Sequence, residues 1–99
     1  MTRTTTFHAW EPDYAIPPGE TLLETLEELG MTQRQLAQRT DLTPQTINLI
    51  VKGVDPITPE TANRLELATG VPASIWNNLE KRYREHRSKL EQRSQLVKH

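Results

Sequence analysis

The sequence predicts an all-α fold of five helices, preceded by an extended arm and ending in a long last helix. Three observations carry that prediction. Threonine opens a helix three times, at Thr32-Gln33, Thr43-Pro44 and Thr58-Pro59, because its hydroxyl accepts an orphan N–H of the first turn and proline at the first helical position forfeits no hydrogen bond. Glycine closes a helix three times, at Gly30, Gly53 and Gly70, where the chain can turn through a left-handed conformation. No segment alternates apolar and polar residues with the period of two that a half-buried strand requires.

Size and composition bound the rest. Ninety-nine residues with 34% hydrophobic content make one small domain. No run approaches the roughly 18 apolar residues of a membrane span, and the start, MTRTTTFHAW, lacks the apolar core of a signal peptide. A cytoplasmic protein that meets no membrane is expected. Zero cysteines exclude disulfides and thiolate metal sites. The three histidines, His8, His86 and His99, stand in no HExxH or paired-carboxylate context, so neither an enzyme nor a cofactor or metal is expected. The net charge of −1 is unevenly spread. Residues 1–40 hold three basic and six acidic side chains, residues 41–70 two and four, and residues 71–99 seven and three.

The arm, residues 1–17, has Pro12 and Pro17, with Pro18 directly after it, and no helical period. It nonetheless carries Phe7, Trp10 and Tyr14, three of the five aromatics. That is more apolar surface than a disordered tail usually bears. Either Trp10 or Tyr14 folds back to cover the core, or the arm docks on a partner.

The first helix is expected from Pro18 or Gly19 to Leu29. Leu22, Leu26 and Leu29 mark its apolar face, Leu23 widens it, and Glu20, Glu24, Glu27 and Glu28 form an acidic outer face. That acidic face repels phosphate and so is solvated or meets a basic protein.

The second and third helices form a sharp corner, because only Thr40, Asp41 and Leu42 separate them. Leu36, Ala37, Leu42, Ile47, Ile50 and Val51 fall where two crossing helices face each other. The outer side of the third helix is left with Gln45, Thr46, Asn48, Leu49 and Lys52. Amides pair bidentately with adenine, and threonine donates, accepts or touches a thymine methyl. The same face is also compatible with a polar surface in an ordinary bundle. Between Thr32 and Gly53, however, Arg34, Arg39 and Lys52 meet only Asp41, so this element is locally basic.

The fourth helix runs from Thr58-Pro59-Glu60 to about Thr69, packing through Ala62, Leu65 and Ala68. The fifth starts near Pro72 or Ala73 and shows no stop. Trp76, Tyr83, Leu90 and Val97 recur every seven residues, with Leu79 between the first two. Beyond Tyr83, residues 84–99 are charged almost all round, which suits a basic helical extension or a frayed tail.

These residues together are identified with a family. The segment from Pro17 to about Tyr83 resembles the HigA antitoxins, a branch of the lambda-repressor-like (XRE, Cro/CI-type) DNA-binding domains. The likeness rests on Pro18-Gly19-Glu20 opening the first helix, Ile57-Thr58-Pro59-Glu60-Thr61-Ala62 opening the fourth, and Trp76-Asn77-Asn78-Leu79-Glu80 in the fifth. The resemblance implies a five-helix domain over residues 18–83 that dimerises, reads a palindromic operator in double-stranded DNA with its third helix, and represses its own operon. It implies as partner a HigB/RelE-like toxin that cleaves mRNA. By motif position, Gln33 and Arg34 touch phosphate, Thr43, Gln45, Thr46 and Asn48 approach bases or nearby phosphates, Lys52 meets the backbone, and Trp76, Leu79 and Tyr83 form dimer contacts.

Three positions depart from the family pattern. Asp41 stands where glycine is common, Pro44 replaces a frequent base-reading residue, and Pro72-Ala73-Ser74 shifts or removes the cap of the last helix. The basic extension also resembles regulators that continue into an ImmA/IrrE-type metallopeptidase domain, and the net acidity leaves a helical adaptor without DNA binding as a third reading.

Overall fold

A computed structural model describes residues 15–97 of the chain, with side chains for residues 15–94. Five helices follow one another: α1 (Pro18–Leu29), α2 (Gln33–Thr40), α3 (Pro44–Val51), α4 (Pro59–Thr69) and α5 (Ala73–Val97). Among the described residues there is no strand. The expectations for Phe7, Trp10, Tyr14 and the rest of residues 1–14 lie outside the described residues.

The three threonines cap as their spacing demands. Thr32 Oγ1 accepts the Gln35 N–H at 3.0 Å, and the Gln35 side chain accepts the Thr32 N–H at 2.9 Å, a complete capping box. Thr43 Oγ1 accepts from Thr46 at 3.0 Å, and Thr58 Oγ1 from Thr61 at 3.2 Å. The corner between α2 and α3 turns on Asp41, at φ 62° and ψ 25°, the sole non-glycine residue with positive φ among those described. The last helix, α5, starts at Ala73, where the sequence reading put it. Its cap is supplied from another helix: the Ala73 N–H donates to Glu66 Oε1 at 2.9 Å. A tertiary cap of this kind leaves no mark in the local sequence.

The core joins Leu22 and Leu26 of α1, Leu36 and Ala37 of α2, Ile47 and Ile50 of α3, Ala62 and Leu65 of α4, and Trp76 of α5, with Met31 and Ile57 from the connections. Leu23 and Leu29 do not join it. They are 41% and 49% exposed, because only the Leu22–Leu26 ridge, four residues apart, points at the bundle. Trp76 is 0% exposed. It belongs to the domain's own core and has no surface to offer a second copy, which corrects the expectation that it makes a dimer contact.

Close approach fixes how α1 lies on α3. A Cβ at Gly19 would overlap the backbone of Val51, so α1 can lie against the end of α3 only with glycine there. Glu80, buried on α5, accepts the Ile57 N–H at 3.0 Å and the Arg84 Nε–H at 2.9 Å, pinning α5 to the loop that follows α3.

Candidate nucleic-acid interface

The helices α2 and α3 meet through Leu36, Ala37, Ile47 and Ile50, and this packing decides what remains outside. On α3, Gln45, Asn48 and Lys52 share one face at spacings of three and four, with Gln45 and Lys52 exposed and Asn48 half-buried. On α2, Arg34, Gln35, Gln38 and Arg39 are exposed, while Gln33 at the first helical position is half-buried. Between the helices lies an open depression lined by Arg34, Gln38, Asp41, Leu42 and Pro44 over Ala37.

The electrostatics of the helix ends single out this pair. An acidic residue sits in the first turn of α1 (Glu20) and of α4 (Glu60), and Glu66 accepts at the start of α5. The first turns of α2 and α3 contain no acid. Their N-termini therefore keep the partial positive charge of the helix dipole uncompensated, beside Arg34. Arg34, Arg39 and Lys52 make no ion pair among the described residues, where Arg64 and Arg84 are paired with glutamates.

The hydroxyls are arranged with direction. Thr43 Oγ1 accepts from the Thr46 N–H and donates to Thr46 Oγ1 at 2.9 Å. That leaves the Thr46 hydroxyl proton to point elsewhere. At the far end of the corner, Arg64 Nη1 of α4 donates to the Thr40 carbonyl at 2.7 Å, and Thr40 Oγ1 donates to the Leu36 carbonyl at 2.7 Å. Beyond α3, the Tyr83 hydroxyl donates to the Gly53 carbonyl at 3.4 Å. The two-helix unit is thus tied to α4 at one end and to α5 at the other.

The Helix-turn-helix family HTH_3 matches residues 22–76, which covers the core from Leu22 to Trp76 and the whole α2–α3 corner. The chain belongs to this XRE-type helix-turn-helix family. It is similar to the HTH-type transcriptional regulator YddM of Escherichia coli, 32% identical over 63 residues, or 64% of this chain and 67% of the relative. Its structure is similar to an addiction module antidote of the HigA family from Coxiella burnetii, with TM-score 0.72, 30% identity and coverage of 86% of this chain and 92% of that one. It is also similar to the Pseudomonas aeruginosa antitoxin HigA, solved with the higBA promoter, with TM-score 0.74, 29% identity and coverage of 83% and 90%.

Within this helix-turn-helix the sequence-selected residues fall into two groups. Arg34, Thr43, Gln45 and Lys52 are exposed, and Gln33, Thr46 and Asn48 are half-buried with part of their surface outward. Leu79 and Tyr83 are half-buried and line a groove with Ile16 and Pro17, on a surface distinct from the α2–α3 face. The supports that sequence reasoning missed are Arg64, Glu66, Glu80 and the Tyr83 hydroxyl. Arg64 left a trace as the one basic residue in α4, and Glu80 as the last residue of the Trp76–Glu80 motif.

Proposed function

We propose that this chain is a cytoplasmic DNA-binding antitoxin that reads its operator with α3, represses its own operon as a homodimer and neutralises a HigB/RelE-like toxin. One observation carries the DNA reading. The face of α3 that bears Gln45, Thr46 and Asn48 adjoins two helix N-termini free of acid and three cations in no ion pair among the described residues, Arg34, Arg39 and Lys52. Amides and hydroxyls suit base edges, while cations and free helix N–H groups suit phosphate. The promoter bound by the similar Pseudomonas antitoxin supports the same reading.

In this arrangement the start of α3 enters the major groove, Gln33 and Arg34 grip phosphate beside it, and Lys52 holds the backbone at the far end. A two-fold pair doubles the phosphate contacts, which offsets the modest local charge of a single copy. The edges of Leu79 and Tyr83 left outside the core are the pairing surface on α5. DNase footprinting on the chain's own promoter tests the reading. Protection of two related half-sites whose centres lie about 10 bp apart, or a multiple of that, is expected. Co-expression with a HigB/RelE-like toxin tests the antitoxin part, and growth arrest that the chain does not relieve would remove it.

A further inference from the structure

The groove between the start of α1 and the middle of α5 is walled by Ile16, Pro17, Leu79 and Tyr83, with Arg82 at its rim and a volume of about 220 Å³. That exceeds the roughly 150 Å³ in which an apolar protein cavity holds benzene. We propose that this groove seats the aromatic segment of the chain's own arm, residues 7–14, with Trp10 as the inserted ring.

Three observations converge on that occupant. Continuity is the first: Ile16, itself part of the groove wall and 47% exposed, lies two residues after Tyr14 and six after Trp10. At about 3.3–3.6 Å per extended residue these reach roughly 7 and 20 Å, so both rings can arrive without crossing the domain. The second is composition. Phe7, Trp10 and Tyr14 crowd into eight residues of a chain with only five aromatics. The third is charge. Glu11 and Asp13 flank Pro12, and the rim offers Arg82, exposed and in no ion pair among the described residues. Tethering places the arm at millimolar effective concentration, ahead of any untethered competitor.

The seat communicates with the helix-turn-helix. Pro17 and Tyr83 both close on Gly53, immediately after α3, so a seated arm stiffens the end of that helix. It also covers Leu79 and Tyr83, which makes the arm and the pairing surface proposed above alternative users of one groove.

Acrylamide quenching of the full chain, compared with Trp10→Phe, tests the seat. Trp76 is wholly buried, so the difference reports Trp10. The Trp10 quenching constant is expected several-fold below that of free tryptophan, unchanged over a hundredfold dilution, and raised at least threefold by Thr21→Arg, because Thr21 also lines the groove and the longer side chain fills it. Far-ultraviolet circular dichroism monitors folding of that variant. Should it lose helix, Arg82→Glu on the exposed rim carries the same test. Quenching as free as that of tryptophan in solution would overturn the proposal. Protection lost on dilution would assign the groove to the arm of a second copy, and protection that both groove variants leave untouched would place the arm elsewhere. Either result overturns it.

Discussion

Gln45 and Arg34 stand on adjoining helices and are both exposed, yet they should fail differently when removed. Gln45→Ala or Asn48→Ala removes an amide proposed to read bases, with an expected loss of about 1–3 kcal/mol on the operator and a relaxed base preference. Arg34→Ala or Lys52→Ala is expected to weaken every duplex alike and to lower the salt slope by about one unit. Anisotropy titrations on operator and random duplexes separate the two patterns. Asp41 offers a third test at this scale. Its left-handed conformation costs an L-residue about 1–2 kcal/mol, partly offset by the extra freedom glycine has when unfolded. Asp41→Gly is expected to raise stability by up to about 1 kcal/mol in urea unfolding. It also removes the one acid of the α2–α3 depression, so affinity for DNA at low salt should rise. A lower unfolding midpoint would show that the aspartate makes an interaction worth more than the strain.

Among the elements, α2, α3 and α4 were legible because their caps are local: threonine, then a partner N–H three residues on, then glycine or aspartate at the exit. The cap of α5 was not, since its capping carboxylate comes from Glu66 in the preceding helix. Glu66→Ala should therefore cost about 0.5–2 kcal/mol, seen as faster amide exchange at the first turn of α5, while Glu66→Gln retains an acceptor and most of the stability. The α1–α3 contact was equally hidden, because nothing near Gly19 announces the backbone of Val51. Gly19→Ala must push the helices apart, at an expected cost of about 1–3 kcal/mol. The same limit explains Trp76, Leu23 and Leu29. Helical spacing says which residues share a face but not how far the bundle extends across it, so a tryptophan that the family resemblance assigned to a dimer contact is core and two leucines read as core are exposed.

At the scale of the whole molecule, charge is sorted by face and end more than it is scarce. The acidic outer face of α1 carries Glu20, Glu24, Glu27 and Glu28, all exposed, whereas Arg34, Arg39 and Lys52 stand on the α2–α3 unit. The net charge of −1 thus hides a basic α2–α3 face on an acidic body. In the proposed function, specific binding depends on base contacts and on pairing of two copies, with little non-specific affinity to fall back on. The decisive measurement is the affinity of the full chain for a duplex covering its own promoter against a random duplex of the same length, each at two salt concentrations. The account predicts preferential, salt-sensitive binding to the promoter at a stoichiometry of two chains per site. Equal affinity for both duplexes, or none for either at low salt, would contradict it.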